Sequence, residues 1–390
     1  MVDQVNLFLC LMIASFALGC HGAREWCSFS HPGSRDELAM DSLNSSDFAL
    51  FLTITHSGED NPWIFTSLHI TRLHNPKLKI YAFVSMTALL ENPDLIKSLA
   101  NLHVEVRILD AFRSKDSAMQ KLRMFLPDET GGAETKERFC AYAHEATRAG
   151  LSRFMSIDGD MALFAPASDI AAPYMEDIVS ACIFTSQFLI VNNITSVHQY
   201  CEYMGNYFTQ DHSSLQKLGA VLGRTAADYL KVSDMELLQL FLQHNPSISR
   251  GILCPEAPGV PVCNANFAGC LLSSQVQAIE SFFKVRYNQS SDSPWIACRN
   301  VSAFRSIVKW RSDSRGVPVP VHRGTGECFP VIHFQGDCKG FIPVFAEYYR
   351  EVVREMFEAR HADPGGRREL LPGEQEHVEW VRKWVDDFAV

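Results

Sequence analysis

Apolar and mixed stretches alternate regularly through the first half of the chain. Asp47-Phe-Ala-Leu-Phe-Leu-Thr-Ile-Thr55 is rich in aromatic and β-branched residues and reads as a buried strand. Thr55-His-Ser-Gly58 is the loop that leaves it. Asn61-Pro62 opens a helix to about Arg72, with the proline early, where its missing N–H costs nothing. Leu78 to Val84 is a second strand, Thr87 to Leu99 a helix and Val104 to Leu109 a third strand. A polar loop, Pro127 to Thr135, leads to a helix over Lys136 to Ala149 and a strand over Phe154 to Ile157. This β-α-β-α-β order predicts an α/β fold with a largely parallel sheet and helices on both faces. In such sheets ligands bind beyond the carboxyl ends of the strands.

The second half is less regular. Ile178 to Phe184 and Phe188 to Val191 read as strands, and Val197 to Phe208 and Asp234 to Gln243 as helices. Gly251 to Gly269 reads as loop, Val317-Pro-Val-Pro320 as an extended approach to a last strand, and Glu376 to Phe388 as a short amphipathic helix. No internal repeat or linker is visible. The expected organisation is a leader over 1–23 and one domain over 24–390. That domain comprises a first half over 48–165, a second half over 166–345 and a helical tail over 346–390.

At 390 residues and 47% hydrophobic, the chain is long enough for a sizeable core. Its net charge of −10 and lack of a long basic run argue against nucleic acid as a partner. Leu7 to Leu18 is an uninterrupted apolar run, short of the roughly 20 residues of a spanning helix, and small residues follow at Gly19 and Gly22-Ala23. It reads as a secretory signal, with a short uncleaved anchor as the competing reading, so no stable span is expected unless the leader is retained. Of 12 cysteines, Cys10 and Cys20 fall in or beside this segment, leaving ten (12 − 2). That even set suggests disulfides. Sequons stand at Asn44, Asn193, Asn288 and Asn300. Together these place the chain in the secretory lumen (ER or Golgi) or outside the cell.

The chemistry concentrates at two points. The strand ending at Ile157 runs into Asp158-Gly159-Asp160. Side chains alternate along an extended strand, so the two acids are expected to project to one side, with glycine permitting a sharp turn. Such hard oxygen ligands suit Mg²⁺ or Mn²⁺, and an added imidazole favours Mn²⁺. Far downstream, Phe329-Pro-Val-Ile-His-Phe334 delivers His333 on a second apolar strand, followed by Gln335-Gly-Asp-Cys-Lys-Gly340. There Gly336 lets backbone amides approach a phosphate, and Lys339 neutralises it.

These two motifs, in this order and wide separation, resemble those of GT-A fold glycosyltransferases, closest in pattern to the glycogenin-like and galactosyltransferase-like family 8. The likeness extends from Phe48 to about Phe345, and its specific part is Asp-x-Asp together with His-x-x-Gly-x-x-Lys. It implies a GT-A (Rossmann-like) mixed, mainly parallel central sheet flanked by helices. It implies transfer of a sugar from a UDP-sugar donor to a glycan, protein or small-molecule acceptor, with retention of configuration; a carbohydrate or glycoprotein is the acceptor partner expected. By the same resemblance Asp158, Asp160 and His333 would ligate Mn²⁺ (or Mg²⁺), and Gly336 and Lys339 would hold the leaving phosphate. Thr55, His56 and Arg138 would lie against the donor.

Departures from the family pattern are visible too. Gly340-Phe341 stand where Pro-Trp is usual, Phe184-Thr-Ser-Gln187 where Phe-Asn-x-Gly is, and Asp234-Met-Glu236 where Asp-Gln-Asp is. Asp234, Gln187 and Glu236 are accordingly the candidates for the catalytic groups. Two competing readings stay open, a non-catalytic binder of sugar nucleotide or glycan and a secreted glycoside hydrolase. Two acids one residue apart at a strand end converge on one point, unlike hydrolase carboxylates that flank a bond.

Overall fold

The structure is a computed structural model that describes residues 47–56, 63–113, 116–125, 132–181, 187–207, 234–253, 262–264, 301–313, 315–323, 328–334, 341–361 and 372–387. The leader, the sequons at Asn44, Asn288 and Asn300, and the whole of the Gln335 to Gly340 loop lie outside them. In the first half β1 (Phe48–Ile54), α1 (Trp63–His74), β2 (Lys79–Val84), α2 (Met86–Glu91), α3 (Leu95–Asn101) and β3 (Val104–Ile108) follow the expected order. The single helix expected over Thr87 to Leu99 is two, broken at Asn92-Pro93, as proline biases the preceding residue away from helix. Then come α4 (Asp110–Arg113), α5 (Ser117–Phe125), α6 (Gly132–Arg148), β4 (Arg153–Ile157) and β5 (Met161–Leu163).

The second half contributes α7 (Ala167–Ala171), β6 (Ile178–Ala181), β7 (Phe188–Val191), α8 (Ile194–Tyr207), α9 (Asp234–His244), β8 (Arg250–Leu253) and β9 (Val262–Asn264). It closes with α10 (Val301–Ile307), β10 (Val308–Ser312), β11 (Pro318–His322), β12 (Val331–His333), α11 (Ile342–His361) and α12 (Pro372–Asp387). Gly251 to Gly269, expected as loop, thus contributes to two strands. Prolines and cysteines masked them because each strand is short and draws its stability from a neighbour rather than from its own pattern.

Seven strands form one sheet in the order β3-β2-β1-β4-β7-β6-β8. All its pairs are parallel except those made by β7, which runs against both β4 and β6. This is the mixed, mainly parallel α/β sheet flanked by helices that the GT-A resemblance implies. Alternate residues of β1 serve opposite faces. Ala49 and Phe51 pack with α5, α6 and α8, while Leu50, Leu52 and Ile54 pack with α1, α2 and α3. Burial on both faces explains why the strand reads as a continuous apolar run.

A third apolar cluster joins α1 to the chain's end. Ile70 and Leu73 of α1 meet Phe164, Phe304, Phe345, Tyr349 and Trp384. This cluster seats a small sheet, β5-β12-β9, in which β12 is antiparallel to β5 and parallel to β9. Arg72, wholly buried, fastens α1 to the loops around it. Burial pulls its pKa down to about 10, still far above neutrality. Its guanidinium donates to the carbonyls of Leu102, Asn75, Leu78 and His103. No described helix is long and apolar enough to cross a membrane. Cys140 and Cys201 are buried free thiols packed between α6 and α8, and Cys328 is disulfide-bonded.

Candidate active site at the carboxyl edge of the sheet

Strands β1, β2 and β4 deliver their carboxyl ends to one edge. Ser85, just past β2, donates from Oγ to the Thr55 carbonyl at 2.7 Å, and its backbone N–H donates to Ile54 at 3.0 Å. The same Oγ caps α2 by accepting from the Ala88 N–H at 3.1 Å. Thr55 is therefore fixed through its backbone. His56 turns away along this edge, with Nδ1 3.1 Å from Glu91 Oε1 at the end of α2.

Next along the edge, β4 stops at Ile157 and the chain turns. The Met161 N–H donates to the Asp158 carbonyl at 3.0 Å, closing a four-residue turn around Gly159-Asp160. The acids are therefore not consecutive outward positions of a strand, and the alternation expected for them does not set their direction. Gly159 does not adopt a positive φ either; among the described glycines Gly150 and Gly316 do. What Gly159 supplies is room. A Cβ there would lie 3.1 Å from Ile64 Cγ1, so the bare backbone lets α1 pack against the turn.

Asp160 is buried, at 7% exposure, and its carbonyl accepts from the Phe334 N–H at 2.9 Å. Pairing of β12 with β5 sets His333 opposite Met161. Directly opposed residues of an antiparallel pair have Cα atoms about 5 Å apart. The backbone of the late His strand therefore runs alongside the turn that carries both acids. Gly336 and Lys339 lie outside the described residues.

Asp158 is paired with Arg138 of α6. Its Nη1 donates to Asp158 Oδ1 at 2.6 Å and its Nη2 to Asp234 Oδ2 at 2.8 Å. Only 8% of the arginine side chain is exposed, against 24% for Asp158 and 13% for Asp234. Burial alone would lower the guanidinium pKa. The Asp158 and Asp234 carboxylates outweigh that and hold it well above the ordinary arginine range, so it is a permanent cation. Neighbouring Glu137, fully buried, accepts from Arg113 at 2.9 Å and Arg123 at 2.7 Å, which anchors α6 to α4 and α5.

The structure thus joins Arg138, Asp158 and Asp234 through side chains. Gln187 joins them through its backbone carbonyl, which accepts from the Asp158 N–H at 2.9 Å just ahead of β7. Glu236 follows Asp234 in the first turn of α9. Two tyrosines belong to the assembly although nothing in the motifs marked them. Tyr142 lies one helical turn beyond Arg138 and its hydroxyl is 2.7 Å from Thr53 Oγ1 of β1. Its ring is packed 4.8 Å from Phe83 and 5.3 Å from Phe51. Tyr200 of α8 donates to the Asp234 carbonyl at 2.9 Å. The i, i+4 spacing of Arg138 and Tyr142 was the available signal; none existed for Tyr200.

Asp158 and Asp160 share one turn and the backbone of the His333 strand pairs beside it. By residue type, carboxylates and an imidazole are ligands that suit Mn²⁺ or Mg²⁺. Among the described residues no group of three His, Cys, Asp or Glu side chains converges as a complete metal site.

No protein-family model matches the chain, and no curated protein does. Among solved structures it is similar to apo mouse xyloside xylosyltransferase 1, at 10% identity over 61% of this chain and 92% of that one, with a TM-score of 0.39. It is also similar to the galactosyltransferase LgtC bound to donor and acceptor sugar analogs, at 7% identity over 84% of this chain and 99% of that one, TM-score 0.35. A third likeness is to the glycosyltransferase GlyE of Streptococcus pneumoniae TIGR4, at 9% identity over 87% of this chain and 63% of that one, TM-score 0.33.

Proposed function

We propose that this chain is a metal-dependent glycosyltransferase that moves a sugar from a UDP-sugar donor to a carbohydrate or glycoprotein acceptor in the secretory lumen. The observation that carries the reading is the Asp160–Phe334 backbone pairing, which sets the His333 strand against the Asp-Gly-Asp turn at the sheet's ligand-binding edge.

In this reading Asp158, Asp160 and His333 hold Mn²⁺ or Mg²⁺. When bound, the ion offsets the charge that develops on the diphosphate as the sugar–phosphate bond breaks. Arg138 provides a fixed cation beside it, already oriented by Asp158 and Asp234. Cations fixed before the reaction lower the barrier without reorganising during it. Gln187, whose carbonyl accepts from the Asp158 N–H, and Asp234, which shares Arg138 with Asp158, are in this reading the groups that meet the donor sugar, with Glu236 two residues further along α9. Lys339 and Gly336 follow the His strand and serve the leaving phosphate. Retention of anomeric configuration follows from the family resemblance.

The test is hydrolysis of a donor panel without acceptor: UDP-glucose, UDP-galactose, UDP-xylose, UDP-N-acetylglucosamine and UDP-glucuronate, each with Mn²⁺ and with EDTA. Manganese-dependent UDP release from one donor is the expected result. Donor binding without turnover in any acceptor mixture would instead identify a sugar-nucleotide-binding relative. Oligosaccharide cleavage without nucleotide would identify a hydrolase.

A further inference from the structure

The Arg138 guanidinium and a metal ion have claims on the same carboxylate. Arg138 Nη1 sits 2.6 Å from Asp158 Oδ1, and Asp158 is a member of the proposed ligand set. The arginine is also paired with Asp234 at 2.8 Å and is 8% exposed, so a move into solvent would break both ion pairs. Around it, Glu137 is clamped by Arg113 and Arg123 at the start of the buried stretch of α6, which fixes where the arginine begins. A divalent ion arriving at Asp158 therefore meets a positive charge that is already paired there, in a largely desolvated setting where like-charge repulsion is weakly screened.

We propose that Arg138 is a resident counter-cation that keeps the free enzyme from holding the metal tightly and makes metal and nucleotide bind as a pair. Arg138 offsets one of the two negative charges of Asp158 and Asp234 and already occupies Asp158 Oδ1. A metal alone must share Asp158 with the guanidinium, and its affinity is reduced. A nucleoside diphosphate brings the negative charge that both cations need, so each ligand tightens the other. Reciprocity requires the two enhancements to be equal in binding free energy. The proposal rests on the metal-dependent glycosyltransferase reading and adds a regulatory property to the same site: the enzyme takes up its metal with its donor.

The experiment is Mn²⁺ titration of the full chain, followed by the electron paramagnetic resonance of free Mn²⁺, with and without saturating UDP. Wild type is expected to bind Mn²⁺ at least about ten-fold more tightly with UDP than without it, a coupling of about 1.4 kcal/mol. Arg138→Gln is expected to bind Mn²⁺ alone at least about ten-fold more tightly than wild type, and UDP is expected to add less. Arg138→Lys keeps the charge but cannot fork across two carboxylates, so its affinity for Mn²⁺ alone is expected to lie between the other two. Lys provides the reading if the Gln variant does not fold.

Unchanged or weaker Mn²⁺ binding by these variants overturns the counter-cation role. So does equal Mn²⁺ affinity of wild type with and without UDP. Asp160→Asn separates the two levels of the argument. If wild type shows Mn²⁺-dependent UDP binding that Asp160→Asn loses, the glycosyltransferase reading stands even where the Arg138 result fails. If wild type binds neither Mn²⁺ nor UDP, both fall.

Discussion

The Phe334 amide donates to the Asp160 carbonyl at 2.9 Å, a backbone bond that joins the segments carrying the two sequence motifs. It extends the β5–β12 ladder, in which His333 faces Met161, back to the acidic turn itself. Asp160→Asn keeps this backbone bond and removes a buried carboxylate. The expected outcome is loss of Mn²⁺-dependent UDP affinity by more than about ten-fold, or 1.4 kcal/mol, with the thermal transition retained. Calorimetry with UDP in Mn²⁺ and in EDTA, beside a melting curve, checks it. Undiminished metal-dependent affinity would remove Asp160 from the site.

Gly159 owes its place to Ile64 rather than to an unusual backbone angle. Gly159→Ala would put a methyl group 3.1 Å from Ile64 Cγ1. Overpacking of this kind costs about 1–3 kcal/mol. The cost of adding the Gly159→Ala methyl group should be only partly reduced in an Ile64→Val background, which keeps Cγ1 and removes the Cδ1 atom 3.7 Å away, and largely abolished in an Ile64→Ala background, although each Ile64 substitution is itself destabilising. Urea unfolding of the single and double variants measures this. Additive losses would show that the methyl group meets something else.

The Tyr142 hydroxyl, 2.7 Å from Thr53 Oγ1, ties the arginine-bearing helix to β1. Burial raises the Tyr142 pKa, so the hydroxyl is protonated at neutral pH and acts as a hydrogen-bonding group. Tyr142→Phe is expected to cost about 1 kcal/mol, and a cycle with Thr53→Val should show coupling of similar size. If Arg138 depends on this tie, the Tyr142→Phe protein will also bind UDP more weakly. Strict additivity in the cycle would argue that the two hydroxyls do not support each other.

Asp177 fastens β6 to α8 and to the approach to β8. It accepts from Asn193 Nδ2 at 2.8 Å and from the Ser249 N–H at 2.7 Å and hydroxyl at 2.8 Å. The Asn193 side chain, followed by the Ser249 groups, outweighs the opposing effect of burial and holds the carboxyl below its usual pKa. The folded state therefore binds fewer protons here than the unfolded one. Its stabilisation is complete above the ordinary aspartate pKa of about 3.9 and is lost as pH falls through the lower folded value. Asp177→Asn should be less stable than wild type at pH 6, and the gap should narrow below about pH 4. Denaturant midpoints of both proteins across that range decide it; a gap independent of pH would exclude the carboxylate's charge as its source.

Much of the architecture was legible in the residue pattern. β1, β2, β4 and β7 each read as apolar runs because they are covered on both sides, and a strand's own residues report that directly. The Asp-Gly-Asp turn and the late His strand were visible for the same reason, each standing where such a run ends. The chain alone also supplied an acidic balance and the residue types a metal and a diphosphate require.

Tertiary structure decided which of these residues meet. The pairing of three-residue β5 with three-residue β12, the reversal of β7, and the union of Arg138 with Asp234 across 96 positions leave no periodic trace. Each depends on long-range packing that brings distant backbone together, and loop closure over such distances carries no local signature. The same packing converted the acidic pair from an assumed strand projection into a tight turn held against Ile64, with one carboxylate paired to a buried guanidinium.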